Sequence, residues 1–354
     1  MKHFFCILLL ASFCFLSGQE RNYPMGYFQS PMDIPLYLAG NFGELRTNHF
    51  HAGIDIKTQG VEGKKIYASA DGFISRIKIQ HGGYGKVIYI DHPNGYTTVY
   101  AHLKSFSSKI DSFIKKKQYE SESFTLDWYP ESNQILVKKG EIIAFSGNTG
   151  GSAGPHLHYE IRETKSEHAL NALLFGLPVK DNIKPTIRGI RIYPMDDEST
   201  VNSQPKAIYL QTIKNQDKLQ LSSIPVVSKK IGFGIETLDK INGSGNRCGI
   251  YKILLKIDQK IVFEQKMDNV PFEESLYLNA HTDYHYKKTQ NKWVHKSYIE
   301  PNNHLSIYKT SEQNGIINFD KPGLYNLEYI VTDVAGNTTK LKFQVNGKPL
   351  INFT

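Results

Sequence analysis

The chain of 354 residues carries 40% apolar and 12% aromatic side chains, enough for about two domain-sized cores, which excludes wholesale disorder. Its 42 Lys and Arg against 34 Asp and Glu give a net charge of +8 spread along the chain without a basic block. That distribution argues against nucleic acid as a partner, and is compatible with weak attraction to an acidic polymer such as a cell wall.

Residues 1–18 read as a cleaved secretory signal: Lys2 precedes an apolar run from Phe4 to Leu16, and the small pair Ser17-Gly18 follows. The run is shorter than the roughly 20 residues a spanning helix needs, so no transmembrane anchor is expected. The mature protein is expected in the periplasm or cell envelope of a bacterium, or secreted. Phe13 before Cys14 argues against a lipidated cysteine. Cys6 and Cys14 would leave with the signal, and Cys248 alone cannot form an internal disulfide.

From 19 to 182 the chain reads as short strands punctuated by glycine, with no long helical period. Lys65 to Ala68, Gly72 to Ile79, a hairpin of Tyr84 to Asp91 and Tyr96 to His102 turned by His92-Pro93-Asn94-Gly95, Ile142 to Ser146 and His156 to Ile161 are the expected strands. A brief helical pattern spans Glu167 to Phe175. Pro178 and Pro185 mark a linker, placing a boundary near 182. From 183 to 354, alternating runs at Ile187 to Tyr193, Ile231 to Leu238, Ile250 to Ile257 and Ile261 to Gln265, with the hairpin of Leu324 to Asp333 and Thr338 to Val345, predict a β-sandwich. The expected fold class is all-β: an antiparallel sheet forming a groove, then an Ig-like sandwich.

Three histidine clusters stand out in the first part: His49 to Asp55, Tyr100 to Leu103, and Gly154 to Glu160. Residues two apart on a strand share a face, so His156 and His158 point into one site. His51 and Asp55, four apart, would also share a face. Two imidazoles and one carboxylate suit a catalytic Zn²⁺, which leaves its fourth position to water. Glu160, on the face of His156 and His158, either orients a ligand imidazole from behind or is a groove-edge carboxylate.

An ordered series of motifs from Pro35 to Arg162 resembles the lysostaphin-type (LytM-like) zinc metallopeptidases that cut peptides of bacterial peptidoglycan. It comprises Gly40-Asn41-Phe42-Gly43, His51 to Asp55, Tyr67 to Gly72, Gly82-Gly83-Tyr84-Gly85, Tyr96 to Leu103, Val137 to Gly140, and Gly147 to Gly150 leading into Gly154 to Glu160. The resemblance implies one zinc per chain held by His51, Asp55 and His158, with His102 and His156 as catalytic histidines that do not bind the metal. It implies an endopeptidase acting on peptidoglycan peptides; 183–354, beyond the resemblance, is expected to position the enzyme or to bind wall or an envelope partner. The alternative is a non-catalytic envelope protein that binds wall or activates a wall amidase, as do relatives that have lost their metal ligands; all five residues are retained here.

Two departures from the family pattern concern Arg46, one residue later than the family's arginine and given no role, and an insertion at 106–134. Leaving the strand end beside His102, the insertion is expected to wall the groove. His49 is a weak competitor of His51, His92 is expected to be solvated in its turn, and His281-Thr282-Asp283-Tyr284-His285 lacks a third cluster to complete a metal site.

Overall fold

The structure, a computed structural model, describes residues 22–216, 218–309 and 312–348. The expected signal at 1–18, with Cys6 and Cys14, lies outside the described residues. Strands dominate, and the protein is all-β in class. No helix among the described residues is long and apolar enough to cross a membrane.

An antiparallel sheet in the first half runs in the order Leu38–Gly40, Ile54–Lys57, His156–Glu163, Tyr96–Ala101, Lys86–Asp91, Gly72–Ile79 and Leu126–Trp128. Period-two alternation gives it two unlike faces. Ile54, Ile56, Leu157, Tyr159, Ile161, Tyr100, Ile88 and Ile90 are buried in one apolar core, which the small sheet of Lys65–Tyr67, Ile142–Phe145 and Ser105–Phe106 helps close. Asp55, His158, Glu160 and Arg162 occupy the alternate positions, on the other face. The register sets Asp55 opposite His158, and His158 opposite Ala101.

The insertion is not a bare loop. It holds a helix, Ser108–Glu120, and the edge strand Leu126–Trp128. Ile110 and Ile114, four apart, pack the helix on the core, and Asp111 and Lys115 pair at 2.8 Å on its exposed side. The absence of any sustained helical period was the wrong expectation here, because a seam this short carries too few apolar positions to register. The pattern over Glu167 to Phe175 resolves as a short strand, Ala169–Leu170, and a single turn of tight helix, Ala172–Phe175.

Residues beyond 186 form the sandwich. Ile208–Asn215, Thr186–Pro194 and Val226–Leu238 make one layer; Thr338–Gly347, Gly323–Thr332, Lys252–Ile257 and Lys260–Lys266 make the other. The long strand Val226–Leu238 belongs to both: its first residues pair in parallel with Asn346 and Gly347, and past Lys229, at φ 60°, it pairs with Thr186–Pro194. Phe233, Ile235, Ile253, Tyr329, Val331 and Phe343 fill the space between the layers.

The two halves are packed together. Asn269–Val270 adds to the first sheet through Ala169–Leu170, and Phe42, Phe50, Met267, Leu278 and Ile307 form a joint apolar cluster. Cys248, buried and free, sits among the residues of the first core.

Candidate metal centre

His51, Asp55 and His158 come together from three elements. His158 and Asp55 are register partners on adjacent strands. His51 arrives differently from the expectation: the strand starts at Ile54, and His51 lies just after the small hairpin of Leu45–Arg46 and His49–Phe50, its backbone bonded to Glu44 and Gly43. The distances are 3.0 Å from His51 Nε2 to His158 Nδ1, 3.1 Å from His51 Nε2 to Asp55 Oδ1, and 2.8 Å from His158 Nδ1 to Asp55 Oδ1. All three residues are buried.

The groups behind them fix which atoms face inward. His51 donates its Nδ1–H to the Asn41 carbonyl at 2.8 Å, leaving a lone pair on Nε2. His158 donates its Nε2–H to Glu160 Oε1 at 2.8 Å, leaving a lone pair on Nδ1. With Asp55 Oδ1, three acceptors converge with no donor between them, which is the requirement of a cation. Burial opposes charge on both sides, yet His51, His156 and His158 hold the Asp55 carboxyl well below the usual range. Burial likewise disfavours an imidazolium at His158, but Asp55 and Glu160 outweigh it and raise the group to about 9, the proton standing where a metal would. Two nitrogens and one oxygen at this spacing fit zinc in an open site.

Glu160 is fully buried, and not at a groove edge. Besides accepting from His158 it accepts from Tyr84 Oη–H, and from Arg162 Nε–H at 2.6 Å. Gly53 makes this packing possible: a Cβ there would stand 2.4 Å from the Tyr159 carbonyl oxygen. Arg46, left without a role above, donates from Nη2 to Asp55 Oδ2 at 2.6 Å and so leaves Oδ1 to face the imidazoles. Gly40 leaves the room for it, since a Cβ would lie 2.8 Å from Arg46 Nη2. The even spacing of His156, His158, Glu160 and Arg162 carried a signal for Arg162; nothing in sequence spacing carried one for Arg46 or Asn41.

His102 and His156 flank the cluster, their rings 4.7 Å apart, with His102 5.8 Å from the His158 ring. Alternation alone would send His102 to the core, since Tyr100 faces it and Ala101 faces the site. A left-handed backbone, φ 58°, breaks the alternation at His102 and turns its ring back to the site, a strained conformation of the kind found at functional positions. His102 donates Nδ1–H to the Thr149 carbonyl, and His156 to the Gly154 carbonyl, both at 2.8 Å. Nε2 is therefore the atom each ring turns toward the cluster, and that of His156 lies 3.5 Å from Asp55 Oδ1. Burial lowers His102 to about 4.

Other histidines separate from the site. His49 is exposed and bonded to the Thr47 carbonyl. His92 is not solvated: it is buried, held between the Asp71 carbonyl and Thr98 Oγ1. His281 is buried against His295 and Tyr308, while Asp283 caps the helix Tyr284–Gln290. The groove over the cluster, about 800 Å³, has His51, His102, His158 and Tyr84 at its floor, and Phe272, Ser275 and Leu276 along one side. The insertion contributes nothing to that lining; the wall expected from 106–134 comes from 272–276 instead. Ser275 Oγ accepts from the Phe50 N–H at 3.0 Å, and the Phe272 ring covers the Arg162 guanidinium at 4.5 Å.

The sequence profile described as peptidase family M23 matches residues 49–122 and 131–171, the break falling inside the insertion. Over 139 residues the chain is 37% identical to the DD-carboxypeptidase/endopeptidase Mpg of Neisseria meningitidis serogroup B, and over 159 residues 30% identical to the peptidoglycan DD-endopeptidase ShyA of Vibrio cholerae. These matches take in 39% and 43% of this chain but only 23% and 30% of the relatives, so the chain spans less than a third of their length. The catalytic domain of lysostaphin from Staphylococcus simulans aligns at 22% identity with a TM-score of 0.30, covering 40% of this chain and 91% of that one. The profile match and the relatives identify residues 49–122 and 131–171 as a domain of peptidase family M23.

Proposed function

We propose that this chain is an exported zinc metalloendopeptidase that hydrolyses amide bonds in the stem or cross-link peptides of peptidoglycan. The observation that carries the reading is the convergence of His51 Nε2, Asp55 Oδ1 and His158 Nδ1 with two further imidazoles beside them. His51, Asp55 and His158 would hold one zinc ion, which when bound supplies a Lewis acid for the peptide carbonyl and a water whose pKa is lowered to about 7. His102 and His156 handle protons at Nε2. Their Nδ1–H groups are committed to backbone carbonyls, so each ring is fixed in orientation and presents one nitrogen to accept a proton from water, or to donate one toward the oxyanion. Tyr84, Arg162 and Glu160 hold His158 in its tautomer. The relatives named as DD-endopeptidases support peptidoglycan as the substrate, and the leader read at 1–18 supports export.

Purified sacculi incubated with the zinc-loaded protein should release peptides cut at an amide bond, identified by mass. An unchanged fragment pattern from protein shown to contain zinc would overturn the enzyme reading in favour of a wall-binding or amidase-activating role.

A second expectation follows from the groove wall. Leu276, 67% exposed at the groove side, has apolar surface for a bound peptide to cover, worth about 1 kcal/mol. Leu276→Ala should raise KM about fivefold with kcat and Tm unchanged, whereas Phe124→Ala on the insertion should alter neither constant. Steady-state kinetics on one soluble cross-linked peptide decides between the two walls.

A further inference from the structure

Away from the groove, where the linker meets the sandwich, Asp181, Asp239 and Asp333 each place a carboxylate oxygen within 4.8 Å of the others. They come from three separate places: Asp181 from the linker, Asp239 from the end of the long strand Val226–Leu238, where it bridges to Cys248, and Asp333 from the hairpin turn closed by Asn337. Like charges this close repel, and folding has brought together three parts of the chain to make the contact.

The partners are uneven. Asp333 is well served, accepting from the Asn337 N–H on Oδ1 and from Asn337 Nδ2–H on Oδ2, each at 2.8 Å. Asp181 accepts from the Ile183 N–H at 3.1 Å. Asp239 is 2% exposed, and its Oδ1 is buried with no hydrogen-bond partner. Among the described residues no lysine or arginine pairs with any of the three. Burial, with Asp333 and Asp181 adding to it, raises Asp239 to about 8. Asp181 and Asp239 also line a cavity of about 80 Å³ with Asn41, Ile241, Val334 and Ala335, the last two from the turn that follows Asp333.

We propose that Asp181, Asp239 and Asp333 bind a calcium ion that ties the linker to the sandwich. An all-oxygen donor set with three carboxylates selects a hard divalent cation, and Ca²⁺ accepts irregular oxygen cages of six to eight ligands completed by carbonyls and water, whereas Mg²⁺ demands near-octahedral geometry and gives up its water reluctantly. The site is distinct from the nitrogen-rich cluster at His51 and His158, which suits zinc. The ion turns three mutually repelling groups into a clamp that joins the linker, the end of one sandwich strand and a hairpin turn. Asn41, on the same cavity, is hydrogen-bonded to Gly249 at 2.7 and 3.0 Å, and its carbonyl orients His51, so the clamp is continuous with the support of the groove.

The test uses the full chain loaded with zinc. Calorimetric titration with CaCl₂ should show one site per chain, and 1 mM CaCl₂ should raise Tm by about 5 °C, the shift expected when the ion is at roughly a hundred times its Kd. The Lys240 N–H bonds to the Asp239 carboxylate, and Asp239→Asn keeps the shape and an oxygen to accept that bond while removing one charge. It should fold with a Tm equal to or above that of the ion-free wild type, and show no gain on adding calcium. The zinc content of both proteins should be the same, which separates this site from the catalytic one. A calcium response retained in full by Asp239→Asn, or no heat and no Tm shift in the wild type, would overturn the proposal; an equal response to MgCl₂ would overturn the choice of calcium.

Discussion

His158→Ala is expected to lose bound zinc and peptide hydrolysis together, while His156→Ala keeps the zinc and loses activity by about 10²–10⁴-fold, the range for a positioned acid or base. The two histidines lie two apart on one strand and share a face, so a purely structural role for the pair would make both changes similar and mild. Their surroundings differ in kind. His158 Nδ1 is one of three acceptors that meet within 3.1 Å, and its other nitrogen is committed to Glu160. His156 stands at the rim, its Nδ1–H held by Gly154 and its Nε2 3.5 Å from Asp55 Oδ1. Removing His158 leaves His51 and Asp55, too few to hold zinc in the usual way. Zinc content and hydrolysis measured on both variants decide the assignment, and loss of zinc from His156→Ala with retention in His158→Ala would reverse it. Chelation should imitate His158→Ala in activity and leave the fold intact, because the site is mounted on a sheet with an apolar core of its own, unlike small domains that fold only around their metal.

The chemistry of this site was legible in the sequence where it follows strand alternation, and obscure where it depends on turns. His156, His158, Glu160 and Arg162 can be read from period-two spacing alone. His51 and Asp55 were also paired by spacing, yet the hairpin, not a shared strand, brings His51 in. His102 violates alternation, and only its left-handed backbone accounts for its direction. Arg46 reaches Asp55 across nine residues because glycine at position 40 leaves the space, a three-dimensional fact that no local pattern records. The sandwich strands were visible in their alternation, while Phe272 and Leu276 gave no sign of lying beside the groove, since they come from the other half of the chain, in a short helical segment. The helix Ser108–Glu120 escaped for a different reason: two buried isoleucines hold it, and the lysines beside them look like any solvated run.

Glu160→Ala should be the most damaging change away from the proposed metal ligands, for two separable reasons. The first is stability. Glu160 is fully buried and pairs at 2.6 Å with Arg162, itself 8% exposed, so truncation leaves a buried guanidinium without its counter-charge, at a cost of about 3–5 kcal/mol. The second is metal affinity. Without Glu160 nothing fixes the proton on His158 Nε2, and if His158 binds the metal as proposed, losing that support costs about 10–100-fold in affinity. A second change separates the two: adding Arg162→Met removes the stranded charge, so the double variant should recover most of the stability while its zinc affinity stays low. Recovery of both together would mean that Glu160 matters only as the arginine's partner. The acid limb of stability gives an independent reading. Burial opposes the charge on Glu160, but Arg162 and His158 outweigh it and hold the carboxyl at about 2 against an unperturbed 4.5. A group depressed on folding contributes its stability above the unfolded pKa, and loses it as pH falls through the folded one. The wild type should therefore lose about 3 kcal/mol between pH 4.5 and pH 2 through this residue, and Glu160→Gln, which cannot ionise, should lack that part of the slope in denaturant titrations across the same interval.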